Sequence, residues 1–102
     1  DMAFVECAQG LARRAIKETR DDPSDRVRHA FRLCNSRQPT LAELSRLTNL
    51  YGEFLQACRT DSEAATKLVG SAKPDVVETA EAAALVALAR CIMNLDEFVT
   101  RE

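Results

Sequence analysis

Apolar residues recur at spacings of three and four along most of this sequence, and no segment alternates apolar and polar positions as a half-buried strand would. The pattern predicts an all-α fold, a single-domain bundle of about five helices. We place the first helix at residues 3–19, the second at 23–34 and the third at 41–59. A short fourth helix and a last helix at residues 77–94 follow, with a loop at 71–75 between them.

The predicted helix ends carry residue types that terminate helices. Asp22 before a proline is an N-cap with proline at the first helical position. Thr40 and Glu43 have the spacing of a capping box, in which each side chain accepts from the backbone N–H of the other residue. We expect Asp61 or Ser62 to cap the fourth helix. Gly70 and Asn94 are then expected to end the last two helices, because both residue types adopt the left-handed conformation.

The apolar stripes of the four long helices define the predicted core. Gly10 interrupts the first stripe, either because a neighbouring helix comes close or because the glycine is simply tolerated. The alanine-rich run at residues 82–89 favours tight packing of the last helix. The stripes comprise Phe4, Cys7, Ala8, Leu11 and Ala15; Val27, Ala30, Phe31 and Cys34; Leu41, Leu44, Leu47, Tyr51, Phe54, Leu55 and Cys58; and Leu85, Leu88, Cys91, Ile92 and Leu95.

Composition and charge narrow the function classes. The chain has 102 residues, a common size for one domain, and is 46% hydrophobic and 29% charged, which is ordinary for a globular protein. The net charge is -2, so the chain lacks the excess of basic residues that binds nucleic acids, and we expect no nucleic-acid partner. The longest apolar run is far shorter than a membrane span, so we expect no membrane insertion.

Each of the four long helices has one cysteine on its apolar stripe. They are Cys7, Cys34, Cys58 and Cys91. None forms a Cys-x-x-Cys pair, so the spacing favours neither a zinc knuckle, a redox pair nor a haem attachment site. Two interpretations stay open: four small core residues, or one or two interhelical disulfides whose pairing the sequence does not choose. The sequence does not favour a catalytic thiol, because the single histidine has no fixed geometric relation to any of the four cysteines.

Other titratable residues give no catalytic pattern. We interpret His29, one step from an inward position, as a partly exposed surface histidine, and Glu78 and Glu81 as solvated carboxylates. After a helix end at Asn94, Asp96 or Glu97 could instead accept from local N–H groups or pair with an arginine. We therefore predict no catalytic, cofactor-binding or metal site in this segment, and no enzymatic activity of its own.

Seven arginines lie between residues 13 and 37, and we consider six of them as a group, in which Arg28 and Arg32 are four apart on one helix face. They form either a plain solvated face or an interdomain contact to acidic groups of a larger protein, a use that suits the bidentate guanidinium. The candidate interdomain contacts are Arg28, Arg32 and Arg37. The six arginines are Arg13, Arg14, Arg26, Arg28, Arg32 and Arg37.

Three stretches together resemble one protein family. They are FVECAQGLA at residues 4–12, RHAFRLC at 28–34 with RQPT at 37–40 and EL at 43–44, and ALARCIMNLDEF at 87–98. In this order they resemble the C-terminal end of a domain of unknown function in large planctomycete proteins. The family pattern reads aromatic-Val-Glu-Ala-Ala, Ala-Phe-Arg, Arg-x-Pro-Thr, Glu-Leu and Leu-Asn-x-x-Glu-Phe. The sequence departs from this pattern at Cys7, Val86 and Cys91, where alanine, an aromatic and an aliphatic residue are more common.

The resemblance implies an exported, multidomain parent protein in a periplasmic or other extracytoplasmic space, with a cytochrome-c-like haem motif near its N-terminus. This segment lacks Cys-x-x-Cys-His, so we expect no cofactor in it, and its start at Asp1 suggests a segment excised from a longer chain. The expected partners are the parent's other domains, and the expected role is a non-catalytic packing or interaction module.

Two alternatives remain for the role. The segment could contribute surface Arg or Asp/Glu residues to an enzymatic or electron-transfer site formed with the rest of the parent, or it could be a free-standing helical adaptor. The module hypothesis predicts an exposed apolar or arginine-rich patch on the isolated segment.

Overall fold

Five α-helices make up the described part of the chain, residues 2–20, 22–70 and 77–100 of the computed structural model. They are α1 (Met2–Glu18), α2 (Pro23–Asn35), α3 (Leu41–Thr60), α4 (Ser62–Val69) and α5 (Thr79–Thr100). These ranges contain no strand, so the all-α prediction of about five helices is confirmed. The loop expected at residues 71–75 lies outside the described residues. No helix in the described ranges combines the length and apolarity that crossing a membrane requires.

The central element is α5, which packs against each of the other four helices. Its middle section is buried on every side, because small alanines alternate with larger aliphatic residues around the whole helix. A helix that is apolar all round belongs in the interior rather than on the surface. The buried residues of α5 are Ala80, Ala82, Ala83, Ala84, Leu85, Val86, Leu88, Ala89 and Ile92.

The four outer helices are amphipathic and cover α5 with their apolar faces. The contact of α1 with α5 uses small residues, whereas α2 and α3 contribute larger side chains such as Phe31 and Tyr51. The buried residues are Ala8, Ala12, Ala15 and Ile16 in α1; Val27, Ala30 and Phe31 in α2; Leu47, Tyr51 and Cys58 in α3; and Ala65 and Val69 in α4.

The N-terminal caps follow the sequence predictions. The Asp22 carboxylate accepts from the Ser24 backbone N–H at 3.0 Å. Both halves of the capping box form, with Glu43 N–H donating to the Thr40 hydroxyl at 3.1 Å and Thr40 N–H donating to the Glu43 carboxylate at 2.8 Å. Of the two candidates for the fourth helix, Asp61 is the N-cap, since its side chain accepts from a backbone N–H three residues on.

The predicted end of the last helix at Asn94 is wrong, because α5 continues to Thr100. Asparagine tolerates the left-handed conformation but does not impose it, and nothing in the following residues forces the chain to turn. The left-handed cap occurs elsewhere: Ser36, with φ of 58°, ends α2 and donates its backbone N–H to the Arg32 carbonyl.

Three predicted core residues lie on the surface instead. Leu41 is 86% exposed and Leu95 is 59% exposed. Leu41 is the first residue of α3, well before Leu47, the first buried residue of that helix, and Leu95 follows Ile92, the last buried residue among the side chains described in α5. Periodicity gives the face of a helix but not the length over which a neighbour covers it. Cys7, also exposed, lies beside the buried face of α1 that Ala8 begins.

Gly70 is a glycine that the packing requires. Its φ of 77° is unfavourable for other residues, and a Cβ there would lie 2.9 Å from Nε2 of Gln9. The same Gln9 amide donates to the Leu68 carbonyl at 3.0 Å and so satisfies a terminal carbonyl of α4 from α1. At Gly10, by contrast, the one described atom within 4 Å of an added Cβ is in the Arg13 guanidinium, at 3.8 Å, so the tolerated-glycine interpretation fits.

We expect Gly70→Ala to lower the free energy of unfolding by about 1–3 kcal/mol, since it combines an unfavourable φ with a clash against Gln9. The matched control is Gly52→Ala, inside α3, where a Cβ meets nothing within 4 Å. This control should raise stability by about 0.5–1 kcal/mol. Urea denaturation followed by circular dichroism measures both changes, and equal effects of the two substitutions would contradict the account of Gly70.

Candidate functional site

An open cleft of about 300 Å³ lies where the end of α1 meets α2. Among the described residues that line it are three arginines, one histidine and two carboxylates. The contacts of α1 and α2 with each other and with α5 hold its two walls in place. Its lining residues are Glu18, Thr19, Arg20, Asp25, Arg28, His29, Arg32 and Gln38.

Glu18 is the more strongly engaged carboxylate of the cleft. One oxygen lies 2.7 Å from Nε2 of His29, and the other accepts from Nε of Arg14 at 3.1 Å. The hydrogen bond from His29, followed by that from Arg14, lowers the pKa of Glu18. Glu18 is therefore an ionised acceptor and Nε2 of His29 is the donor. His29 is 19% exposed, in line with a partly exposed surface histidine.

The two arginines predicted to share a face, Arg28 and Arg32, both line the cleft. Arg28 pairs with Asp25 one turn earlier, at 3.0 Å. Arg32 is exposed, and its guanidinium makes no hydrogen bond or ion pair with a residue of the described ranges. The side chain of Arg20 is likewise exposed and unpaired there. The cleft thus has two cations without a counter-charge from this part of the chain.

Arg37, the third candidate contact, lies outside the cleft lining. Its two terminal nitrogens each donate to one oxygen of Glu43 at 2.9 Å, and its guanidinium lies 4.9 Å from the centroid of the Phe31 ring. These contacts, with a hydrogen bond to the Gln38 carbonyl at 3.1 Å, fasten the turn between α2 and α3. The three candidate arginines therefore do not form one patch, and Arg37 has a structural role within the chain.

Arg26 departs furthest from the sequence interpretation, which grouped it with surface arginines. It is 3% exposed, and its guanidinium lies 3.7 Å from the carboxylate of Glu81 on α5. Nearby, Tyr51 is 4% exposed, and its hydroxyl has no hydrogen-bond partner among the described residues. Burial, with a smaller effect of the Glu81 charge, raises the pKa of Tyr51. Glu81 thus lies at the edge of the core rather than on a fully solvated face.

Glu78 and Glu81 do not act as a facing acid–base pair. Glu78 makes two hydrogen bonds to Arg59, at 2.8 and 3.0 Å, and these lower the pKa of Glu78. Glu81 instead accepts from the Glu78 backbone N–H at 3.2 Å, which fixes the start of α5. An acid–base pair needs two carboxyls with pKa values moved apart across a substrate site. Here both carboxylates serve contacts between helices or within a helix end.

All four cysteines are free thiols, so the disulfide alternative finds no support in the structure. Burial raises the pKa of the Cys58 thiol and of the Cys91 thiol. A raised pKa disfavours the thiolate that nucleophilic or redox chemistry needs. Cys34 is half-buried and Cys7 is exposed. The interpretation as core residues therefore holds for Cys58 and fails for Cys7.

The remaining candidate chemistry is sparse in the described ranges, which contain no group of three His, Cys, Asp or Glu side chains able to hold a metal ion. The side chains of Asp96 and Glu97 lie outside the described residues. The non-helical backbone that was expected after Asn94, with free N–H groups for these carboxylates, does not occur, because α5 continues to Thr100.

The sequence interpretation missed three charged residues of the cleft, Glu18, Arg20 and Asp25. Asp25 and Arg28 are three apart on one helix, a spacing that alone predicts a local pair. Glu18 and Arg20 flank the predicted end of the first helix, and only the packing of α1 on α2 brings them to His29 and Arg32. A charged run at a short helix–helix connection is the sequence signal that could have drawn attention to them.

Comparison with known proteins gives no match: no family model, no curated protein and no solved structure is similar to this chain. The resemblance to the planctomycete domain therefore stays a prediction from the sequence. The function has to be argued from the surfaces of this chain itself.

The Arg37–Glu43 pair gives a prediction about pH. The hydrogen bonds from Arg37, followed by that from the Thr40 N–H, lower the pKa of Glu43 to about 2 from an ordinary value of 4.5. Because the folded-state pKa is depressed, the contribution of Glu43 to stability is present above about pH 4.5 and is lost as the pH falls towards 2. In Arg37→Gln the Glu43 carboxyl should titrate at a higher pH, measured by NMR of the labelled carboxyl carbon. Lys67→Gln, an exposed cation on α4, is the control and should leave this titration unchanged.

The buried hydroxyl of Tyr51 gives a prediction about stability. Most substitutions in a protein core lower the free energy of unfolding, but removing this hydroxyl should not. Tyr51→Phe removes a buried group that has no partner among the described residues, so the free energy of unfolding should stay the same or rise by up to about 1 kcal/mol. Glu81→Gln removes the charge beside the buried Arg26 guanidinium and should cost about 1–3 kcal/mol. Thermal and urea unfolding measure both. A loss above about 1 kcal/mol in Tyr51→Phe would show that its hydroxyl is bonded in the folded protein.

Proposed function

We propose that this chain is a non-catalytic helical interaction module of a larger, extracytoplasmic multidomain protein, and that it packs against an acidic surface of another domain of that protein. The observation that carries the proposal is Arg32, an exposed guanidinium on a fixed helix without a counter-charge in the described residues. It lies in an open cleft next to Arg28 and Arg20, where a partner's carboxylates can reach all three.

Arginine is well suited to this use. Its planar guanidinium donates two parallel hydrogen bonds to one carboxylate, which adds orientation to the charge attraction. Arg32 is in the last turn of α2, which is capped by Asp22 at its N-terminus and by Ser36 at its C-terminus. The backbone that carries the arginine is therefore ordered before any partner binds, which reduces the entropic cost of binding.

The other charged side chains support a packing role because most of them are already committed to the fold. Glu43 belongs to a cap, Glu78 to the α3–α5 pair, and Glu18 to the α1–α2 contact. A site for acid–base or nucleophilic chemistry would need such groups directed at a substrate. We include an extracytoplasmic parent protein in the proposal because the family resemblance implies one. The residues that carry this resemblance include 28–34, which contain Arg32.

The test is to produce this chain and the rest of the polypeptide encoded with it as separate pieces and to titrate one against the other by isothermal titration calorimetry. We expect binding that weakens with salt and that falls about tenfold or more in Arg32→Glu, since a repulsive charge replaces a hydrogen-bonded one. Arg46→Glu, an exposed arginine on α3 away from the cleft, is the matched control and should retain the affinity.

Two results would count against the proposal. One is that the pieces do not associate at all. The other is that Arg32→Glu and Arg46→Glu weaken the association equally, because the effect would then follow net charge rather than the cleft. Circular dichroism of each variant shows whether the fold is retained.

A further inference from the structure

We propose that the α1–α2 cleft binds an acidic peptide segment, with Arg32 and Arg20 as its anchors, and that the His29–Glu18 contact makes this binding stronger at lower pH. The inference rests on the proposed function and deepens it, because it names the ligand chemistry and its regulation at the same surface.

We choose Arg20 and Arg32 as the anchors because Arg28 already pairs with a carboxylate of this chain. Arg28 is paired with Asp25 at 3.0 Å, so a ligand must share or displace that carboxylate. Arg20 and Arg32 have no such competitor within the described ranges. Each guanidinium can pair with one carboxylate, and neighbouring acidic residues of a peptide supply two such groups. An acidic segment is therefore the occupant that charge complementarity favours.

Glu18 is the group that works against such a ligand. Its carboxylate lies in the cleft and repels another acid, but Arg14 pairs with it from α1 and His29 donates to it from α2. Neutral His29 offsets only part of this negative charge. When His29 takes a proton, the His29–Glu18 pair becomes neutral overall, and Asp25 is then the remaining carboxylate among the described residues that line the cleft.

The pH window follows from the groups that line the cleft. They are Glu18 at the end of α1, Arg20 in the connection, and Asp25, Arg28, His29 and Arg32 on α2. Arginine does not titrate below about pH 12, and ordinary carboxylates stay ionised above about pH 5. Histidine is the one residue type among them that ordinarily changes charge between about pH 5 and 8. Lowering the pH across this range adds positive charge to the cleft while the ligand keeps its negative charge.

The experiment uses the whole chain and a fluorescein-labelled peptide with four consecutive glutamates, followed by fluorescence anisotropy. We expect the affinity to rise roughly two- to fivefold from about pH 8 to about pH 5.5. Arg32→Gln should weaken binding about tenfold at both pH values, and Arg46→Gln should not.

His29→Gln should retain binding at about pH 8 and lose the increase at about pH 5.5. Glu18→Gln gives an independent check with the opposite sign: it removes the repelling charge and should strengthen binding at about pH 8 without any need for protonation. Thermal unfolding of each variant confirms the fold. If His29→Gln does not fold, the Glu18→Gln result still decides the role of the contact.

Each contrary outcome has a definite meaning. No peptide binding by the unmodified protein, or equal binding by Arg32→Gln, overturns the cleft site. A pH response that persists in His29→Gln overturns the regulation alone. Inorganic phosphate that displaces the peptide at equal concentration would make the occupant a free oxyanion instead. If the parent's other domains associate independently of Arg32 while the peptide requires it, the proposed function fails and the peptide site stands.

Discussion

The close packing of four helices around α5 is the constraint on which the rest of the structure depends. Alanine on several sides of α5 keeps its surface narrow, so that α1, α2, α3 and α4 can all reach it. Protein interiors are packed at crystal-like density, and a larger side chain at Ala83 or Ala84 would push a neighbouring helix away. The cleft inherits this constraint, because α1 and α2 touch each other where both rest on α5. Apolar contacts therefore position the two walls of the cleft, and the contact between His29 and Glu18 adds a polar link between them.

The parts of the fold that local physics determines could be predicted from the sequence. The helical period, the capping box of Thr40 and the cap at Asp22 depend only on residues within one turn of each other. The exposure of Leu41 and the continuation of α5 past Asn94 could not be predicted in this way. Both depend on how far a neighbouring helix extends, and one helix read alone has no information on that length.

The same division applies to the candidate site. Arg28 and Arg32 share a face because they are four apart, which the sequence states directly. Contacts between helices, such as His29 with Glu18 and Arg26 with Glu81, link residues far apart along the chain, and only the packing brings them together. Burial also reversed one assignment: Arg26 has the same charge and neighbourhood in sequence as Arg28, yet it lies in the core beside α5.

Arg32 and Arg37 show how the structure separates charges that the sequence treats alike. Arg37 is held by Glu43 and Phe31, and its loss would loosen the turn that starts α3. Arg32 contributes no such contact, and exposed charges of this kind add little to stability, with exposed pairs contributing about 0–1 kcal/mol. The fold therefore does not need the guanidinium of Arg32, whereas a partner with carboxylates would gain an ordered bidentate donor. Arg32 makes no side-chain contact of this kind with the described residues and lies on an ordered helix, and this is the physical reason that we propose a binding role for Arg32 and a structural role for Arg37.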